Sequence, residues 1–438
     1  MIRNILKQIL NRKKSNGWIA FALLLVFCLI WYTTDFFFVL AYNEHITSHR
    51  DVNNTYSIDI ATRSKKHPEY KETESESFNE MANFHRIINR IKEHPDIESV
   101  GLCISKSSFP GTGGFSSTQF RNPDDTTKTA SIQSITIIPE EDYFKVFRHT
   151  KDNGISSVTM SDYDWGDPSA IIITQMLANQ LFPGESPINK TIEREYKHPD
   201  HPRGQNRIIG VIDDIKRFKH NRPHCAIFFP QKINEQNYKY AYISIRTKEH
   251  TPEKYFIENF KKEMSSKLRI GNYYLKNVQS FVRIDENTNY LFGTTNSIRI
   301  RGALMAFFLI NIILCTLGIF WYRVNIRHEE IGIRRAMGSD AVNIRKLFIL
   351  EGLLLLTLIV PFAMIIEMQF VQAELIETLD LDQILPAYGN YLTDHIILRF
   401  LITNGITWFL MAIIITLSIW YPARSASRIN TVDALRDE

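Results

Sequence analysis

The sequence predicts an α-helical membrane protein with four transmembrane helices and one mixed α/β extracytoplasmic domain, itself an α/β subdomain with a strand-rich insertion. Three observations predict it. The apolar residues are bunched into four long segments near the two ends, basic residues gather on one side of those segments, and the long middle is polar with alternating strand and helix patterns. The averages alone mislead: 438 residues at 44% hydrophobic and net charge +4 would suit a soluble chain of two or three domains. Because the basic residues sit beside the apolar segments rather than in one surface block, nucleic-acid binding is excluded.

The apolar segments are 18–41, 303–322, 347–366 and 396–421. Each is about 20 residues or longer, enough to cross a ~30 Å hydrocarbon core at about 1.5 Å per residue. The first has a basic lead of Arg12, Lys13 and Lys14 but no small-x-small cleavage site. Bulky Phe36, Phe37 and Phe38 stand where cleavage would fall, so it reads as an uncleaved anchor. Ahead of it, Ile2, Ile5, Leu6, Ile9 and Leu10 fall at helical spacing opposite Arg3, Lys7 and Arg12. That pattern fits an amphipathic cytosolic helix over 1–17, or equally a frayed basic flank.

Orientation follows from the flanks. Arg3, Lys7, Arg12, Lys13 and Lys14 precede the first segment, and Arg323, Arg327, Arg334, Arg335, Arg345 and Lys346 lie at 323–346. The connection 367–395 carries Glu374, Glu377, Asp380 and Asp382. Counting positive charge inside places both termini and the 323–346 loop in the cytosol, and residues 42–302 outside the inner membrane. Two of the four cysteines then fall in the oxidising compartment. Cys103 and Cys225 each sit in an apolar strand-like run, where two buried thiols are favoured and a Cys103–Cys225 bridge is the alternative.

Within the external domain the pattern predicts a helix at 78–91, a strand at 99–104 and a Gly/Ser-rich loop at 110–117, which opens a strand-rich insertion over about 106–206. A strand at 170–174 leads into a helix at 175–182, strands follow at 207–212, 226–229 and 240–246, and a helix at 252–268 precedes a helical return from Asp285. Two motifs are decoys. Residues 184–191 (GESPINKT) approach a phosphate loop, but Asn189 stands at the second glycine and the loop follows a helix rather than a strand. His198, Asp200 and His201 could offer metal ligands, yet the flanking prolines favour a solvated turn. No catalytic constellation stands out. Among the membrane carboxylates, Asp35 is placed at the outer interface, and Glu351 is expected to pair with Arg334, Arg335 or Lys346 near the cytosolic face.

The most informative stretch is 327–338 (RHEEIGIRRAMG). It predicts a short helix with acids in its first turn, arginines toward its end and a glycine stop, and Ser339 can cap the next helix. Such a rigid charged helix between two spans suits a cytosolic partner; by physics alone it could equally lie on anionic lipid. Glu330, Ile331, Gly332, Arg334, Arg335, Ala336 and Gly338 resemble, without a gap, the E-I-G-x-R-R-A-x-G pattern of the MacB/FtsX-type permeases of type VII ABC transporters. The tail Pro422, Ala423, Arg424, Ala426, Arg428, then Ala434, Leu435 and Arg436, is similar to the family's closing motif, with Thr431 at a usual proline. In the middle of the chain, Tyr143-Phe144-Lys145-Val146 resembles Y-F-x-V, Pro187-Ile188-Asn189-Lys190 resembles P-I-G-K, and residues 207–214 resemble V-V-G-V-V-x-D of the MacB-like periplasmic core.

The resemblance implies a non-enzymatic permease with no cofactor of its own, ATP and Mg being bound by a separate cytosolic ATPase that engages the 327–338 helix. It implies a dimer, either of this chain or with a related permease, in which closure of the ATPase moves the external domains by mechanotransmission. Efflux of a peptide or antibiotic-like substrate, with a periplasmic adaptor and outer-membrane channel, or lipoprotein release, is the leading expectation. The alternative is an FtsX-like regulatory subunit acting on a cell-wall hydrolase or another periplasmic partner. These residues leave the two open.

Overall fold

The computed structural model describes residues 13–113, 117–195, 204–248, 252–326, 333, 337, 339–377, 379, 386 and 388–426. The chain forms two compact units. One takes in the chain up to Tyr42, Thr295–Thr378 and the chain from Asn390 on, and the other Asn43–Thr294 with Leu379–Gly389. A long helix, α1 (Lys13–His45), comes first. In the second unit it is followed by β1 (Thr55–Thr62), α2 (Ser77–Lys92) and β2 (Ile97–Ile104). Next come β3 (Ser117–Arg121), β4 (Thr129–Ile137), the one-turn helix α3 (Tyr143–Val146) and the short hairpin β5 (Thr150–Lys151) with β6 (Ser156–Ser157). Then β7 (Ala170–Thr174), α4 (Gln175–Leu181), β8 (Thr191–Arg194), β9 (Gln205–Ile212) and β10 (Ala226–Pro230) complete the middle. The unit closes with β11 (Ala241–Thr247), α5 (Glu253–Lys267), β12 (Tyr273–Ser280) and α6 (Phe281–Leu291).

Strand pairing separates this unit into two substructures. β2, β11, β1 and β12 lie side by side, all antiparallel, with α2 and α5 as the crossovers. That order and connectivity are those of a ferredoxin-like β-α-β-β-α-β fold. Helix α2 places Phe84, Ile87, Ile88 and Ile91 at i, i+3, i+4 and i+7, and these, with Phe256, Phe260 and Met264 of α5, are buried against Tyr56, Ile58, Val100, Leu102, Ile243 and Ile245. Burial of each large side chain contributes about 1.5–3 kcal/mol, so the amphipathic stripe decides which face the helices turn inward.

The other strands close on themselves. β4 pairs with β3, β3 with β8, β8 with β9, β9 with β7, β7 with β10, and β10 returns parallel to β4. The result is a six-stranded ring inserted between β2 and β11, joined to the open sheet through the Cys103↔Ile137 pair. The insertion therefore runs past the expected residue 206 and takes in β9 and β10, because those strands complete the ring rather than the open sheet. β4 itself, absent from the predicted elements, buries Ala130, Ile132, Ile135 and Ile137 inside a polar-looking run.

The ring also decides the cysteines. Cys103 and Cys225 are both buried and both free. Cys103 lies across β4 from Ile137, whereas the carbonyl of Cys225 accepts from the amide of Gln133, four residues away along the same strand. That offset alone is about 13 Å at the rise of a strand, beyond the ~7 Å Cα separation a disulfide tolerates. The favoured reading of two buried thiols holds and the alternative of a bridge is rejected: Cys103 Sγ donates to Ser105 O at 3.3 Å, and Cys225 Sγ faces Gln180 Oε1 at 3.7 Å.

In the first unit, α1 is joined by α7 (Thr294–Ile326), α8 (Ala341–Gln372) and α9 (Ile396–Ala426). These four helices contain stretches of 27 to 31 residues long and apolar enough to cross a membrane. Along α1, Ile19, Leu23, Phe27 and Ile30 are buried while Trp18, Phe21, Leu25 and Leu29 are exposed. Apolar residues on both faces suit a helix with protein on one side and lipid on the other. Each helix is longer than its apolar segment, since polar residues continue the same backbone hydrogen bonding. Asp340, not Ser339, occupies the N-cap of α8.

Candidate functional site

Two motifs of the α/β unit have local physical causes. In Tyr143-Phe144-Lys145-Val146, the three apolar residues are fully buried while Lys145 is exposed. Asp142 caps this single turn, its Oδ1 accepting from Lys145 N at 2.9 Å and Met160 N at 3.2 Å, and Tyr143 Oη donates to Ser108 O at 2.6 Å. Ring contacts with Phe147, His149 and Phe228 complete an aromatic plug.

At 207–214, Gly210 lies under the Tyr163 ring, and a Cβ there would sit 2.2 Å from Tyr163 Cε1. Asp213 accepts from Thr150 Oγ1 at 2.7 Å, Asn153 N at 2.8 Å and Gly154 N at 2.7 Å, which holds the β5–β6 turn. Asp214 Oδ1 accepts from Met176 N at 2.7 Å in the first turn of α4, and burial raises its carboxyl above the usual range. These residues hold turns and helix ends rather than a reacting group.

The near-phosphate loop 184–191 is a connection from α4 to β8. Gly184 and Asn189 have φ of 78° and 64°, and this left-handed conformation suits glycine and, next best, asparagine. Asn189 thus does structurally what a glycine would. His198, Asp200 and His201 lie outside the described residues, and no group of three or more metal-ligating side chains occurs among those described.

The predicted ATPase-coupling residues Glu330, Ile331, Gly332, Arg334, Arg335, Ala336 and Gly338 also lie outside the described residues. Of their neighbours, Ile333 and Met337 are exposed, and Met337 N donates to Ile333 O at 3.0 Å, the i→i−4 bond of a helical turn. Glu351 is 2% exposed on α8. Beside it, a Cβ on Gly352 would meet Ile419 Cδ1 at 2.5 Å, so α8 and α9 approach closely there.

The chemistry of the helical unit lies mostly elsewhere, in a polar seam between α1, α8 and α9. Asp35, expected at the outer interface, is 3% exposed and forms a bidentate ion pair with Arg399 on α9, itself 2% exposed, at 2.9 and 2.5 Å. Arg399 Nη2 also donates to Glu377 O at 3.0 Å. A second pair, Arg301 with Glu377, places the Arg301 guanidinium 4.0 Å from the Phe36 ring centroid. Trp31 Nε1 donates to Thr403 Oγ1 at 3.0 Å. Further along, Glu367 on α8 is fully buried, with Asn404 on α9 beside its carboxylate. Sequence reading missed Arg399 and Glu367. The available signal was charge inside apolar helices, where it is costly and marks internal pairing or function.

No protein-family model matches this chain, and no curated protein sequence matches it. Among solved structures, the periplasmic region of MacB from Actinobacillus actinomycetemcomitans is similar over 54% of this chain and 93% of its own, at 14% identity and a TM-score of 0.31. The extracellular domain of the noncanonic ABC-type transporter YknZ from Gram-positive bacteria is similar over 50% of this chain and 100% of its own, at 17% identity and a TM-score of 0.29. Overlaps this loose carry no function, which has to come from the chain's own residues.

Proposed function

We propose that this chain is the membrane subunit of an ABC transporter of the MacB/FtsX type, working as a dimer with a separate cytosolic ATPase. The observation that carries the reading is the ungapped Glu330–Gly338 pattern placed between two membrane-length helices, with the matching tail from Pro422 onward. A large α/β unit inserted between the first and second long helices supports it. In this reading the 327–338 helix is the lever. Nucleotide-driven closure of the ATPase pushes on it, and the stroke moves the external unit without substrate passing between the helices. Export of a peptide or antibiotic-like molecule, or lipoprotein release, is the work such a stroke performs.

Purification from native membranes tests it. The parent chain should bring down an ATP-hydrolysing subunit, two copies of each by native mass spectrometry. Reversing charge in Arg334→Glu/Arg335→Glu should abolish that retention while leaving membrane insertion intact, since loss of paired interfacial charge costs about 2–5 kcal/mol. A double variant that retains its ATPase like the parent refutes the coupling role, and a parent that retains none refutes the class.

A further inference from the structure

The sequence contains three Asn-Gly pairs, at 16–17, 153–154 and 404–405. Asparagine before glycine is the pair most prone to cyclise, because no Cβ shields the following amide nitrogen from the side-chain carbonyl carbon. The first and third pairs lie inside α1 and α9, where helical hydrogen bonds fix the backbone. Among the described residues only Asn153-Gly154 stands in a turn, between β5 and β6, and both residues are exposed to the water that the reaction consumes. We propose that Asn153 is a latent deamidation site, kept unreactive in the folded chain by the carboxylate of Asp213.

The turn is fastened at the atoms that would react. Asp213, just after β9 and 5% exposed, accepts from Gly154 N at 2.7 Å through Oδ2 and from Asn153 N at 2.8 Å through Oδ1. Both peptide planes that flank Asn153 are thereby held. Thr150 Oγ1 donates to the same carboxylate at 2.7 Å and steadies it. Asp152, Asn153 and Gly154 follow one another at φ of 59°, 57° and 87°, a left-handed run that L-residues adopt at a cost. It persists because Asp213 collects the amides. His49 also packs against the turn, its Nδ1 lying 3.3 Å from the place a Cβ on Gly154 would take.

In deamidation the Gly154 nitrogen gives its proton to solvent and attacks Asn153 Cγ. The Cγ–Nδ2 bond then breaks, the amide takes up a proton from solvent and leaves as ammonia, and the chain is left as a cyclic imide. Water opens that imide to aspartate or isoaspartate, so solvent is the only co-reactant. Asp213 opposes the first step in two ways. Its charge-assisted hydrogen bond stabilises the nitrogen in its protonated form, and a deprotonated nitrogen would be an anion 2.7 Å from a carboxylate oxygen. The nitrogen must also leave Asp213 to reach Cγ. Removing the negative charge, or opening the turn, therefore releases the reaction.

The test follows the purified full chain in phosphatidylcholine nanodiscs, warmed in mildly alkaline buffer. Digestion and mass spectrometry with separation of isoaspartate give the rate at Asn153. The folded parent should react at least about tenfold more slowly than the parent unfolded in urea, the factor that one charge-assisted hydrogen bond supplies. Asp213→Asn keeps the shape and removes the charge, so it should speed reaction at Asn153 about tenfold over the folded parent. Asn404 in the same digest should stay unmodified, and slow hydrogen exchange in β9 should show that the variant is folded. A folded parent that reacts as fast as the unfolded one overturns the proposal, whether or not the variant folds. A folded Asp213→Asn that reacts no faster than the parent overturns the role of the carboxylate. Neither outcome depends on whether an ATPase binds.

Discussion

Replacing Arg399 by leucine tests the helical unit at its most committed contact. The pair joins α1 to α9 across 364 residues of sequence, with both residues at 3% exposure or less. Arg399 gives Asp35 two charge-assisted hydrogen bonds, at 2.9 and 2.5 Å. At about 1.5–3 kcal/mol each, these bracket a loss of about 3–6 kcal/mol, and breaking a buried pair from one side costs about 3–5 kcal/mol. In a membrane the unfolded chain also finds polar partners, which pulls the expectation to about 3 kcal/mol. The double variant Asp35→Leu/Arg399→Leu removes both charges and leaves neither stranded, so it should lie within about 1–2 kcal/mol of the parent. SDS-driven unfolding in mixed micelles, read by tryptophan emission, gives all four corners of the cycle. A single variant costing under about 1 kcal/mol, or a double variant as unstable as the two singles together, refutes the buried-pair reasoning.

Four further outcomes follow from the same geometry. His149, His220 and His224 are pushed down to about 3, 4 and 3 by burial, while the unfolded chain protonates them near 6.5. Stability of the α/β unit should therefore fall as pH drops from about 6.5 toward 4, each histidine adding about 1.4 kcal/mol per pH unit. The raised carboxyls of Asp214 and Asp285 oppose this, so hydrogen exchange of β4 and β10 in His149→Phe against the parent isolates one histidine, whose slope should vanish. Gly210→Ala must displace the Tyr163 ring from its 2.2 Å approach, an overpacking cost of about 1–3 kcal/mol measurable by denaturant unfolding. Burial pushes the Cys103 and Cys225 thiols up, so neither should alkylate until the unit is unfolded, and reduction should not change the mass. With an impermeant thiol reagent, a cysteine replacing Ile155, 84% exposed, should label in intact cells, while one replacing Met337, 76% exposed, should label only after permeabilisation; labelling of the latter from outside inverts the topology.

The sequence alone determined what depends on local composition and period. A predominantly apolar stretch of about twenty residues makes a membrane-length helix whatever surrounds it, and the i, i+3, i+4, i+7 stripe of Phe84 to Ile91 makes α2 amphipathic. The strand at Ala170–Thr174 and the turn at Asn189 were legible for the same reason, since a continuous β-branched run and a glycine-like position are written in neighbouring residues. Only the tertiary structure decided the pairings. Nothing near Thr129–Ile137 says that β4 takes β3, β10 and β2 as neighbours and closes a ring, and that closure is what keeps Cys103 and Cys225 apart. Asp35 likewise reads as an end group until Arg399 arrives on another helix. Local propensity is a property of adjacent residues, whereas register, ring closure and charge pairing depend on which distant segment occupies the next few ångströms.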